Sequence, residues 1–225
     1  MLQGKMFLFI ALAGLSFVAT AQNTIELNIE GKKCQASFQP NQFKTSRGSL
    51  LLIASQDSLL LNALQRSLAQ YGWSSLRLLM NKHCRLNQLP EAIRYLRKQQ
   101  NKRSLVLYYG KRLNDFLQYF QKDKRKQLNG LVLLSAYDIP SDTRKSVAMT
   151  EMKLPIFDVV GQFDYDSVRR QWQARKQQMH GQKHYYPLEL LGADHEYAES
   201  RQALTNWLVG WMKKQIIPEV APSPF

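Results

Sequence analysis

The sequence is poor in several residue types, and each shortage excludes a class of protein. Its two cysteines, Cys34 and Cys84, are too few and too far apart in the chain for a zinc site. Acidic residues are scarce as well: 17 Asp and Glu against 31 Lys and Arg give a formal net charge of +14. No apolar stretch after Val18 is long and charge-free enough to span a bilayer. We therefore expect a basic globular protein with no metal, no cofactor and no later membrane span.

The basic residues are spread along the chain, with runs at 94–103, 122–126 and 169–176. No run is interleaved with the aromatic side chains on which nucleic-acid bases stack, so we expect no nucleic-acid partner. A basic exported protein meets anionic lipid headgroups or cell-envelope polymers instead. The alternative is a solvated basic surface that only aids solubility.

The N-terminal segment has the pattern of a secretory signal peptide. Lys5 supplies a positive charge, residues 6–18 form an apolar run, and Ala19 to Ala21 make a small-residue cleavage site. The run is shorter than the roughly 20 residues that an uncleaved membrane anchor would need. We expect residues 1–21 to be removed and the protein to be periplasmic or secreted.

The rest of the chain alternates strand and helix patterns. An opening hairpin is followed by short apolar runs, each bounded by turn residues and followed by a helical or polar segment. This predicts one α/β domain at 22–217, a three-layer sandwich with a mostly parallel sheet, and a disordered tail at 218–225. The predicted strands are 24–29, 34–38, 49–54, 75–80, 105–109, 131–135, 154–160 and 184–191.

The central strand ends in a turn of unusual composition. Ser104 to Asp115 reads SLVLYYGKRLND, in which an apolar run stops at Gly110 and a helix can begin. In an open parallel sheet, a ligand or a nucleophile lies at such a strand-to-helix turn. This turn carries Lys111 and Arg112 and has neither serine nor cysteine.

From residue 49 to 212 the order and spacing of elements resemble the α/β-hydrolase fold. Gly161 to Asp164 (GQFD) resembles the acid turn of that fold, and Gly192 to Tyr197 (GADHEY) resembles its histidine loop. The resemblance implies that Asp164 and His195 are the acid and the histidine of a catalytic triad. The alternatives are that Asp164 caps a helix and that His195 is a loop histidine paired with a nearby carboxylate.

Several phrases also resemble the uncharacterised proteobacterial "domain of unknown function 3530" branch of that fold. They are the YGW at residues 71–73, LPIFDVVG, GADHEY and NWLVGWM. The G-x-S-x-G elbow is absent, and Lys111 or Arg112, depending on register, stands where the nucleophile belongs. Ser55 and Ser135 are the candidates for a displaced nucleophile.

The resemblance also bears on the cysteines. In this fold the second strand runs antiparallel beside the fourth, which brings Cys34 close to Cys84. A disulfide between them would close a loop of about 50 residues and stabilise the protein by roughly 4 kcal/mol.

These observations favour an exported, non-catalytic α/β-hydrolase-like protein. Lys111 and Arg112, in a pocket with His195, would bind a carboxylate, a phosphate or an envelope component; a solvated basic turn is the alternative. A second hypothesis is an active esterase-like hydrolase with a displaced nucleophile that uses His195 and Asp164. A third is a basic envelope scaffold whose pocket is a relic.

Overall fold

The computed structural model describes residues 23–29, 32–81, 84–99, 103–122, 128–139 and 149–216. The predicted signal peptide, the predicted tail and most of the basic run at 122–126 lie outside these ranges. Across the described ranges, none of the helices has the length and apolar character that crossing a bilayer requires.

Eight strands form one sheet in the order β1-β2-β4-β3-β5-β6-β7-β8. β2 pairs antiparallel with β1 and β4, and every other neighbouring pair is parallel. The predicted mostly parallel sheet with an N-terminal hairpin is therefore confirmed. The strands are β1 (Asn23–Ile29), β2 (Lys32–Gln39), β3 (Gly48–Ala54), β4 (Trp73–Leu79), β5 (Ser104–Lys111), β6 (Gly130–Tyr137), β7 (Ile156–Phe163) and β8 (Tyr185–Asp194).

Five α-helices cover the two faces of the sheet. α1 (Leu59–Gln70) and α5 (Arg201–Ile216) pack together on one face. α2 (Leu89–Lys98), α3 (Leu113–Lys122) and α4 (Asp166–Gln178) cover the other. Because both faces are covered, β3, β5 and β6 consist almost entirely of buried residues, which explains their unbroken apolar runs.

Local sequence signals determine where several of these helices begin. Ser58 is the N-cap of α1, and its Oγ accepts a hydrogen bond from the Leu60 N–H at 3.0 Å. The N-cap position of α4 is occupied by Tyr165, which makes no side-chain capping bond.

Cys34 and Cys84 form a disulfide in the structure. Cys34 lies in β2 just beyond the last residue paired with β4, and Cys84 lies in the segment that follows β4. The bond therefore links β2 of the N-terminal hairpin covalently to the segment that leads from β4 into α2.

Candidate functional site

Asp164 and His195 meet at the carboxyl edge of the sheet, where β7 and β8 end. His195 Nδ1 lies 2.7 Å from Asp164 Oδ1, and both side chains are buried. This hydrogen bond orients the imidazole and leaves Nε2 as the ring nitrogen able to take a proton from a substrate, a water or a nucleophile. The geometry is that of the acid and the histidine of a triad.

The surroundings of Asp164 differ from those of a helix cap. Its Oδ1 also accepts the Tyr165 N–H at 2.8 Å, and its Oδ2 accepts the hydroxyl of Ser135. Since α4 has Tyr165 at its N-cap, the capping alternative for Asp164 is wrong. His195 does pair with a carboxylate, as its own alternative proposed, and that carboxylate is Asp164.

Ser135 lies on the carboxylate side of the pair. It is fully buried in β6 with φ 43°, and its Oγ bonds to Asp164 and, at 2.8 Å, to the Tyr197 hydroxyl. A triad nucleophile bonds to the histidine, whereas Ser135 bonds to the acid. The geometry favours a role for Ser135 in supporting Asp164.

A second network holds the loop that carries His195. Glu196 Oε1 accepts from the Tyr109 hydroxyl at 3.0 Å, and its Oε2 accepts from Ser58 Oγ at 2.9 Å. Burial, followed by the charge of Glu196, raises the pKa of Tyr109 far above its usual range, so Tyr109 stays a protonated donor. The Tyr165 ring stacks on the imidazole with its centroid 4.4 Å away.

Sequence reasoning missed four of these supporting residues, namely Tyr109, Tyr165, Glu196 and Tyr197. Each lies within two residues of a predicted site residue, namely Lys111 at the elbow, Asp164 in the acid turn or His195 in the histidine loop. A tyrosine at each of these three turns was the signal that could have identified most of them.

The turn after β5 has the backbone of a strained strand-to-helix elbow. Gly110 has φ 101° and Arg112 has φ 67°, a left-handed conformation that is uncommon for a residue with a side chain. Lys111 and Arg112, the two residues predicted to stand in place of a nucleophile, thus lie at the junction where β5 ends and α3 begins. Both side chains are exposed.

Lys111 and Arg112 line a cleft of about 850 Å³ together with Ser55, Cys84 and Arg85. The lining does not include His195. The expectation that the two cations share an anion-binding pocket with His195 stays a prediction. Within the described ranges, no three His, Cys, Asp or Glu side chains are grouped to hold a metal ion.

No protein-family model and no curated protein matches this sequence. Several solved structures do match it. An esterase domain from Rhodothermus marinus matches with TM-score 0.68 and 14% identity, over 86% of this chain and 98% of that one. A monoglyceride lipase from Saccharomyces cerevisiae matches with TM-score 0.69 and 13% identity, over 89% and 97%. An α/β serine hydrolase homologue from Coxiella burnetii matches with TM-score 0.66 and 12% identity, over 84% and 96%. These likenesses show the fold, which is that of the α/β hydrolases.

Proposed function

We propose that this α/β-hydrolase-fold protein binds a small anionic ligand at its elbow and does not catalyse by a serine mechanism. The observation that carries the proposal is the φ of 67° at Arg112, because a strained residue at this strand-to-helix turn is what the nucleophile position of this fold requires. A guanidinium stays protonated in proteins and cannot attack a carbonyl carbon. We also propose that the protein belongs to the "domain of unknown function 3530" branch of this fold, which its sequence resembles.

The chemistry of the elbow supports an anionic ligand. Lys111 and Arg112 are adjacent and exposed, and the ion pairs among the described residues include neither. An arginine fork matches the two oxygens of a carboxylate or a phosphate. The N-terminal end of α3 follows directly and favours negative charge as well.

Two features support export to a cell envelope. The N-terminal pattern predicts a signal peptide, and the Cys34–Cys84 disulfide suits an oxidising compartment. The net charge of +14 would then favour a ligand drawn from anionic envelope lipids or polymers.

Labelling with a fluorophosphonate probe tests the non-catalytic part. We expect no covalent adduct by mass spectrometry on the purified protein, because no serine or cysteine occupies the elbow. A labelled hydroxyl in the wild type whose labelling disappears in His195→Ala would overturn this part of the proposal.

Calorimetric titration with acetate and inorganic phosphate tests the binding part. We expect Arg112→Gln to weaken binding by about tenfold, since a hydrogen bond to a charged group contributes roughly 1.5–3 kcal/mol. The matched control is Lys183→Gln, which removes the same charge from an exposed position before β8, at the opposite edge of the sheet. Equal losses in the two variants would mean that only the net charge matters.

The buried Asp164–His195 hydrogen bond favours a second candidate, an ester hydrolase with a displaced nucleophile. Ser55 suits that role better than Ser135, because it lines the cleft at the elbow whereas Ser135 faces the acid. Turnover of short acyl esters that is lost in both Ser55→Ala and His195→Ala would favour this candidate. Absence of turnover in the wild type would remove it.

A further inference from the structure

The cleft at the elbow has a cationic side. Arg85, Lys111 and Arg112 all line it and all are exposed. The described residues form no ion pair with any of the three. Among the described residues of the lining, Asp115 is the only acidic one. Three cations against one carboxylate leave a positive site that a bound anion would neutralise.

The same cleft has an apolar side. Ile139, two residues beyond the end of β6, is 40% exposed, although β6 itself is buried. An aliphatic ligand chain would remove this side from water, which a small hydrophilic anion could not do. Met80 and Leu86, both half-buried, also line the cleft, and the buried rings of Tyr108 and Phe116 lie beneath it.

The segment that carries Arg85 and Leu86, which forms one wall of the cleft, is held in place by bonds within the protein itself. The disulfide attaches Cys84 to β2, and the Cys84 N–H donates to Asn81 Oδ1 at 2.9 Å. The Arg85 N–H donates to Gln88 Oε1 at 2.8 Å. A wall held in this way has less conformational freedom to lose on binding.

From the cations, the apolar wall and the size of the cleft, we infer that the ligand is a single-chain amphiphile with an oxyanion head. The head lies at Lys111 and Arg112, and the chain runs along Leu86 and Ile139. The volume of about 850 Å³ falls within the range of about 300–1,000 Å³ usual for small-molecule sites. This inference rests on the proposed function, since it specifies which anions the elbow binds.

The test compares decanoate and decyl phosphate with acetate, inorganic phosphate and decanol, each below its micelle-forming concentration. By calorimetry, we expect one or both of the long-chain anions to bind at least about tenfold more tightly than the matching short anion. We also expect decanol to bind more weakly than either, because it lacks the charge. The stronger of decanoate and decyl phosphate identifies the head group as carboxylate or phosphate.

Two substitutions assign the binding to this cleft. Ile139→Asn should weaken the long-chain anions by several-fold and leave acetate and phosphate unchanged. The matched control is Leu191→Asn, because Leu191 is an apolar side chain, 74% exposed, that does not line the cleft. Both positions are exposed, so the variants should fold, and thermal unfolding checks this.

The outcomes separate the inference from the proposed function. Arg112-dependent binding of acetate or phosphate with no gain from the chain overturns the amphiphile and keeps the anion site. Decanol binding as tightly as decanoate, unaffected by Arg112→Gln, overturns the oxyanion head. Absence of all binding overturns both.

Discussion

At Gly161, β8 leaves no room for a side chain on β7. A Cβ at this position would lie 2.6 Å from the carbonyl oxygen of Ala193. The pairing of the two strands shifts register here, between Gly161 and Phe163. Asp164 and His195 follow directly on the two strands, so the distance between them depends on this contact.

We expect Gly161→Ala to lower the free energy of unfolding by about 1–3 kcal/mol, because the strands must separate to admit a methyl group. We also expect the Asp164–His195 hydrogen bond to lengthen. Urea unfolding and the imidazole proton resonances in NMR measure the two effects.

The control is Gly210→Ala within α5, where a Cβ would meet no atom within 4 Å. That variant should raise stability by about 0.5–1 kcal/mol, because alanine is the better helix former. A Gly161→Ala protein as stable as the Gly210→Ala protein would show that the strands accommodate the methyl group.

The backbone conformation of single residues limits how much of the candidate site could be predicted from the sequence. Asp164 and His195 could be selected because short motifs surround them. Ser135 and Tyr197 have positive φ values and hydrogen-bond to one another across 62 positions of the chain. Residues nearby in the chain indicate neither the conformation nor the contact. Both depend on how the segment after β8 packs against the end of β6.

At the scale of elements, a buried ion pair attaches α4 to the sheet. Arg175 donates from Nε and Nη2 to the two oxygens of Asp158 in β7, at 2.8 and 2.9 Å. The Tyr185 hydroxyl donates to Asp158 Oδ2 at 2.7 Å, and the Trp172 indole donates to the Asp158 carbonyl at 3.0 Å. The carboxylate is fully buried, so its stability in the fold depends on these donors.

We expect Arg175→Met to destabilise the protein by about 3–5 kcal/mol, because it leaves a buried carboxylate without its cation. The control is Lys176→Met, the exposed neighbour on α4, which should change stability by less than about 1 kcal/mol. Chemical denaturation measures both variants.

A double variant, Asp158→Leu with Arg175→Met, distinguishes the causes. It should be more stable than Arg175→Met alone, since no charge is then left buried. A double variant that is less stable would mean that packing around the guanidinium stem, and not the charge, attaches α4.

Apolar spacing indicates the buried face of a helix only in part. In α5, Leu204, Trp207, Leu208 and Trp211 are spaced as one apolar face, yet three of them are buried and Trp207 is 54% exposed. The apolar residues of α5 extend over more of its circumference than the sheet covers. The sequence does not indicate which side of such a helix faces solvent, because that depends on the position of α1.

Across the whole molecule, buried tyrosines link stability to alkaline pH. Burial raises the pKa of Tyr197 well above its usual range, and burial with nearby carboxylates does the same for Tyr108, Tyr109 and Tyr185. Above pH about 10 these tyrosines ionise in the unfolded chain and stay protonated in the folded one. The unfolded state then binds fewer protons, so stability falls as pH rises.

We expect the free energy of unfolding to fall above pH about 10, by up to about 1.4 kcal/mol per pH unit for each buried tyrosine. Urea unfolding at intervals of about half a pH unit, between about pH 8 and pH 11, gives the slope. Tyr197→Phe should reduce this slope, because it removes one of the buried hydroxyls. A slope as steep in Tyr197→Phe as in the wild type would contradict the assignment.

The architecture was more predictable than the site. Apolar runs bounded by turn residues predicted the positions of all eight strands. A strand that is buried on both faces of the sheet consists almost entirely of apolar residues, so its sequence is easily distinguished. The Cys34–Cys84 bond followed once β2 was placed antiparallel beside β4. The grouping of Lys111 and Arg112 with Arg85 in one cleft did not follow, because the shape of a cleft depends on loops from several strands at once.

The positions of the two cysteines also have a consequence for the order in which the sheet is assembled. Both lie within the first 84 residues, and that part of the chain contains all of β1, β2, β3 and β4. In a chain that is exported amino end first, the bond can close before β5 has emerged. The remaining strands add at the edge formed by β3, and they lie outward from it in chain order as β5, β6, β7 and β8. Each new strand meets an edge already in place, and the residues of the candidate site come together last.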